Sequence, residues 1–226
     1  MDAAVNLREL STNPLQIKVL SEIMAPILNQ EAGFGDYTYK GQALSSLTDK
    51  QIVQLINGGH KDAFPELYHR YSKDIYSYIL RLISSPAAAE DLLQDVFVSV
   101  WQGLAAFKQE SSLKTWLFRI AHYKTMSWMR VAYRIQEVDQ EETSYVETGL
   151  SLDSQTALNW RADKIQEALQ NLSTNHRAVV ELFYYHGLSY SEISDVVNCP
   201  VGTVKSRMSH ALKNLSAILT NYGLEP

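Results

Sequence analysis

Between His60 and Ile135 the chain holds one glycine, Gly103, and two prolines, Pro65 and Pro86, and its apolar residues recur at intervals of three and four rather than two. A stretch with so few turn-formers and no alternation is left with helix. The texture returns from about Leu158, broken at Gly187 and at Asn198–Pro200. This pattern predicts an all-α fold of two small helical domains. Thr48 and Gln51 form a T-x-x-Q capping box before IVQLI, which marks a helix start. Further helices are expected over AFPELYHRYSKDIYSYILRLI, after Pro86, after residues 110–112, and as three or four short elements beyond Leu158.

The two helical blocks are separated by IQEVDQEETSYVETGLSLDS, residues 135–154, which has six acidic side chains, no basic one and poor helical periodicity. It reads as an extended, flexible acidic linker. Ahead of Thr48, a short helix around Leu15–Leu28, interrupted by Pro26, and the stretch EAGFGDYTYKGQ read as a loosely held extension. The expected organisation is an extension over 1–47, a helical domain over 48–134, a linker over 135–157 and a second helical domain over 158–226. The net charge of −5 is concentrated in the linker, since residues 61–134 carry ten basic and seven acidic side chains and residues 155–226 six of each. The flanking blocks are thus free to be locally basic.

In SYSEISDVVNCPVGTVKSR, Ser189 and Glu192 form a second capping box. Ile193 and Val197 lie one turn apart, and Asn198 stands where the chain must turn sharply in a left-handed conformation that Asn tolerates. The following helix places Val204, Met208, Ala211 and Leu215 on one side and Thr203, Lys205, Ser206, Ser209, His210 and Lys213 largely on the others. A buried stripe backed by short polar and basic groups suits a helix offered to the major groove. An amphipathic surface helix with solvated charges is the plainer alternative. Cys199 reads as a small packed residue at the turn.

Residues 112–134, SLKTWLFRIAHYKTMSWMRVAYR, carry Lys114, Arg119, Lys124, Arg130 and Arg134 and no acidic residue. Trp116, Phe118, Tyr123, Trp128 and Tyr133 are interleaved with them. Leu113, Leu117, Ile120 and Trp128 are assigned to a buried face; the remaining aromatics sit beside cations, the combination that holds unpaired bases and their backbone. In the preceding helix Leu92, Leu93, Val96, Phe97, Val100 and Leu104 form a broad apolar stripe, with Glu90, Asp91, Gln94 and Asp95 near its start. Those acids are either helix-dipole partners or a docking face for a basic protein, and composition does not separate the two.

The segments AFPELYHRY, AAAEDLLQDVFVSVW, FKQESSLKTWLFRIA and LSYSEISDVVNCPVGTVKSRMSHALKNL, in this order and spacing, resemble those of bacterial sigma factors of the extracytoplasmic-function group. The likeness covers about 48–134 and 158–220. It implies a promoter-specificity subunit that binds core RNA polymerase and directs promoter recognition, DNA opening and transcription initiation. The first domain resembles region 2, and Asp91, Gln94 and Asp95 match the positions that dock on the beta-prime clamp helices. Lys108, Ser111, Ser112, Lys114, Arg119, His122, Tyr123 and Arg130 fall in the part that meets the minus-ten element, duplex and melted. The last domain resembles region 4, which rests on the beta flap and reads the minus-thirty-five element; Thr203, Lys205, Ser206, Arg207, Ser209, His210 and Lys213 are the matching residues. The linker corresponds to the segment that threads the polymerase's RNA path. An anti-sigma factor is an expected partner. This chain departs from the family at His122, Tyr123 and Ser127, where Arg, Asn and Asp are frequent, at Val131 and Ala132, which interrupt a frequent arginine run, at Ser209 and His210, and at Ser194 and Asn198, where Ala and Gly are usual.

Other functions find less support. The six histidines have no metal-ligand spacing, Cys199 has no partner for a disulfide, and neither a phosphate-binding Gly-Lys-Ser/Thr loop nor a G-x-S-x-G elbow occurs. No catalytic residue, cofactor or metal is therefore expected. No secretory signal and no apolar run of the roughly 20 residues that cross a bilayer is visible, so a cytoplasmic protein without membrane insertion is expected. A stand-alone helix–turn–helix regulator would predict a dimer on a palindromic site and leave the basic-aromatic helix idle. A protein-only adaptor would make the cations near Arg119 and Lys205 incidental.

Overall fold

A computed structural model describes residues 38–39, 42–138 and 157–222. The expectations for Leu15–Leu28 and for residues 139–154 lie outside them. The described residues are helical apart from a two-residue antiparallel ladder, β1 Thr38–Tyr39 and β2 Gln42–Ala43. The helices are α1 Asp49–Asn57, α2 Phe64–Ile83, α3 Pro86–Gly103, α4 Leu113–Val138, α5 Ala157–Gln170, α6 Thr174–Val180, α7 Tyr190–Val197 and α8 Val201–Asn221. Between α6 and α7 a π-helical turn occupies Glu181–Tyr185. The Thr48–Gln51 capping box forms in both directions, as its spacing predicts. Pro65 and Pro86 both sit in a first helical turn, where a missing N–H costs nothing.

Two compact units make up the chain, and they do not divide at the linker. The first comprises the described residues up to Lys73 together with Gln94–Lys114. Its core is Ile52, Val53, Phe64, Leu67, Val96, Phe97, Val100 and Leu104, with Phe64 edge-on to Phe97 and Trp101 at 6.3 and 5.1 Å. Arg70 ties the approach to α1 onto α2. Its guanidinium donates to Glu66 at 2.7 Å, to Asp49 at 2.9 Å, and to the carbonyls of Leu44, Ser45 and Leu47. Leu44 and Leu47 are buried, so the last residues of the expected loose extension are core. Two hydrophobic side chains and one forked cation outweigh the local glycine content there.

The second unit comprises Asp74–Leu93 and everything described from Thr115 onward. Here α8 packs on α5, α6 and α7 through Val204, Met208 and Ala211. The second half of α2 and the first turns of α4 join the same core with Ile75, Tyr78, Ile79, Leu117, Phe118 and Ala121. Tyr78 and Phe118 flank the buried ring of His186, at 5.8 and 4.6 Å between centroids. Arg177, 9 % exposed, donates to the carbonyls of Leu169, Gln170 and Leu172 at the end of α5 and to those of Arg81 and Leu82 near the end of α2. Terminal helix carbonyls have no partner within their own helix, and one guanidinium supplies both ends. The sequence reading missed this role, because nothing near Arg177 in the chain signals it.

Candidate nucleic-acid and polymerase interface

The helix–turn–helix is assembled by local chemistry. Ser189 and Glu192 cap α7 reciprocally, and Ile193 and Val196 bury its inner face. Val197, expected inside beside Ile193, is half-buried and yields that place to Val196. Asn198 ends the helix at φ 49°, ψ 54°, in the left-handed conformation. Ser194, standing where the family usually has Ala, donates its hydroxyl to the Cys199 carbonyl at 2.6 Å and so stiffens the turn. Pro200 then opens α8.

On α8 the stripe Val204, Met208 and Ala211 is buried, and Leu215 at its far end is half-buried. Lys205, Ser206, Ser209, His210 and Lys213 are exposed, while Thr203 and Arg207 are half-buried. A Cβ added at Gly202 would meet nothing within 4 Å. No internal contact therefore demands a glycine in this first turn, although glycine costs helix stability. The ring of His176, on α6, lies 6.2 Å from that of His210 at an interplanar angle of 23°. His176 was not singled out by the sequence, since its position one helix away gives no local signal.

In the first unit Lys108 and Ser112 are exposed and Ser111 and Lys114 half-buried; the neighbouring Gln109 adopts φ 58°. In the second unit α4 exposes Arg119, Arg130 and Tyr123, the last at 69 %. Trp128, assigned to the buried face, is 38 % exposed, and Met129 fills the core instead. Two other residues turn inward. Phe118 is wholly buried. His122, expected among the nucleic-acid contacts, is 8 % exposed, and its Nδ1 shares a 2.7 Å hydrogen bond with the Tyr78 hydroxyl. Burial, with the Arg207 guanidinium adding to it, lowers the His122 pKa to about 4, which keeps the ring neutral and the phenol fit to donate. On α3, Glu90 and Asp91 are exposed and Gln94 and Asp95 half-buried.

Two family models match this arrangement, "Sigma-70 region 2" over residues 67–135 and "Sigma-70, region 4" over residues 162–215, together more than half of the chain. The chain belongs to the sigma-70 family. Among its relatives, RNA polymerase sigma factor YlaC of Bacillus subtilis is 29 % identical over 163 residues, 71 % of this sigma factor and 94 % of that protein. RNA polymerase sigma-H factor of Pseudomonas aeruginosa is 29 % identical over 78 % of this chain and 96 % of its own. The ECF RNA polymerase sigma-E factor of Escherichia coli K12 is 29 % identical over 73 % of this chain and 91 % of its own. The solved sigma factor RpoE of Bartonella quintana, in complex with the anti-sigma factor NepR, superposes with a TM-score of 0.58 at 28 % identity, covering 70 % of this chain and 96 % of that one. CnrH, in complex with the cytosolic domain of CnrY, shares the fold at a TM-score of 0.58 and 24 % identity, covering 76 % of this chain and 97 % of that one. No helix among the described residues of this sigma factor is long and apolar enough to cross a membrane.

Proposed function

We propose that this extracytoplasmic-function sigma factor binds core RNA polymerase and directs it to a specific set of promoters. The observation that carries the reading is α8: a stripe of Val204, Met208 and Ala211 is sunk in the domain while Lys205, Ser206, Ser209 and His210 stand free at a helix–turn–helix, within a family match over both regions. In this reading α8 enters the major groove of the minus-thirty-five element. Lys205, Arg207 and Lys213 neutralise phosphates, and Thr203, Ser206, Ser209 and His210 face the backbone and base edges. Gly202 lets the phosphate backbone approach the first turn of α8. His176 adds a polar ring beside His210.

The minus-ten element would be opened and held by Lys108, Ser111, Ser112 and Lys114 with Arg119, Tyr123 and Arg130, the cations following the backbone and Tyr123 stacking on a base. Exposure supports Tyr123 over His122 for that contact. Asp91, Gln94 and Asp95 on α3 would dock on the clamp helices of the beta-prime subunit, and the C-terminal domain on the beta flap. Functionally the limits 48–134 and 158–226 are the two modules, with 135–157 tethering them. Polymerase supplies the nucleotidyl chemistry, so the chain itself is read as non-catalytic and as cytoplasmic, where polymerase works. A protein inhibitor of the anti-sigma kind, as named for the Bartonella relative, is a fitting partner.

An acidic chain of net charge −5 then has a reason to carry DNA readers: polymerase provides most of the phosphate neutralisation. Transcription in vitro with core enzyme over a library of genomic fragments should give selective initiation with this subunit and none without it. Tight, sequence-specific gel shifts by the free protein would contradict the division of labour.

A further inference from the structure

The second unit holds a cleft of about 490 Å³, and none of the residues lining it is among those assigned above to DNA or polymerase. One wall is α2, with Leu80 and Arg81, and the other is α5, with Ile165 and Leu169; the π turn adds Glu181 and Tyr185. The volume falls within the roughly 300–1,000 Å³ of small-molecule sites. The lining also has their character, aliphatic and aromatic faces with a few charged groups. Ile165 is a large apolar side chain left 41 % exposed at this cleft.

The charged set is asymmetric. Glu181 is 1 % exposed and accepts a hydrogen bond from Nη1 of Arg81 at 3.2 Å. The Arg81 guanidinium lies over the Tyr185 ring, 3.7 Å from its centroid, which fixes its plane. Its Nε and Nη2 donate to nothing among the described residues. Those two N–H groups form the parallel edge with which a guanidinium grips an oxyanion bidentately. Arg177, the second cation of the lining, donates to main-chain carbonyls of α2 and α5, which leave its charge uncompensated. Two guanidinium groups thus stand against one carboxylate. Burial raises the Glu181 pKa to about 7 against the pull of Arg81 and Arg177, so near neutral pH even that carboxylate is partly protonated.

We propose that this cleft is a binding site for a small amphipathic anion, a carboxylate on an aliphatic body. The head bridges Nε and Nη2 of Arg81, and the body lies between Leu80, Leu169 and Ile165. A cationic ligand would meet two guanidinium groups. A neutral apolar ligand would cover the free edge of Arg81 without giving it an acceptor, which is unfavourable. A bare anion would leave the aliphatic walls in water. Glu181 competes with the ligand for Arg81 and thereby sets the affinity.

The test is calorimetric titration of the full-length protein with octanoate, and with octanol and acetate as ligands lacking the charge or the body. Octanoate should bind at one site per chain, and octanol and acetate each at least about tenfold more weakly. Arg81→Lys keeps the charge and loses the fork, and should weaken octanoate about tenfold. Ile165→Glu places a like charge on the exposed rim, away from the Arg81–Glu181 pair, and should weaken it as much; it covers a poorly folding Arg81 variant. At about pH 8, where the wild-type carboxyl is charged, Glu181→Gln should bind octanoate severalfold more tightly, a gain that misfolding does not produce. Absence of saturable octanoate binding would overturn the proposal. So would octanol or acetate binding as tightly as octanoate, unchanged affinity in both Arg81→Lys and Ile165→Glu, or weaker binding by Glu181→Gln. Because the titration uses neither DNA nor polymerase, its failure leaves the sigma-factor reading untouched.

Discussion

Asn198 and Ser194 are the residues on which the helix–turn–helix bends. At φ 49° a side chain without a short polar group is strained, and Asn relieves this better than any other non-glycine residue. Asn198→Val should lower stability by about 1–2 kcal/mol in thermal melts, while Asn198→Gly should be neutral or stabilising. Ser194 illustrates a different point. Its hydroxyl bonds the Cys199 carbonyl, so the departure from the usual Ala is a gain at the turn rather than a tolerated change.

At the scale of the element, α8 carries a glycine that its own packing does not explain. Gly202→Ala should raise stability by up to ~1 kcal/mol, since alanine is the better helix former and the added methyl meets nothing. If the glycine serves close approach to a phosphate, the same variant, assayed with core polymerase, should bind minus-thirty-five duplex more weakly. Stronger protein with unchanged DNA binding would remove that role. The ends of α2 and α5 depend on Arg177 in the same unit. Arg177→Leu strips donors from buried carbonyls at both and should cost about 3 kcal/mol or more in chemical denaturation, well beyond the loss of one surface cation.

For the molecule as a whole, two buried groups set opposing acid responses. Glu181, raised from 4.5 to about 7, contributes stability that is full below pH 4.5 and lost as the pH rises through about 7. His122, lowered from 6.5 to about 4, contributes stability that is full above pH 6.5 and lost as the pH falls through about 4. Each shift corresponds to about 3 kcal/mol, and their windows overlap between roughly pH 4.5 and 6.5, where they offset one another. Wild-type melting temperature should therefore be nearly flat across that interval. Glu181→Gln should uncover a loss of stability toward acid, and His122→Gln a loss toward neutral pH. Parallel curves for all three proteins would show that neither group is titrating from a buried site.

Much of the candidate site was legible in the chain because it is built from local rules. Capping boxes at Thr48 and Ser189, the Asn198 turn, the α8 stripe and the exposed polar set opposite it depend on spacings of three and four residues and hold whatever surrounds them. The linker's charge is equally a property of composition. What the chain alone did not determine is which face of α4 looks inward. Phe118 and His122 carry the same periodicity whether they meet a base or a neighbouring helix, and Trp128 fits a buried face as well as Met129 does. Only the tertiary structure chose, by bringing Tyr78, His186 and Glu192 from distant parts of the chain against that helix. The buried partnership of Glu181 with Arg81, a hundred residues apart, was decided the same way. Helical period says that a face exists; burial by remote residues says which one it is.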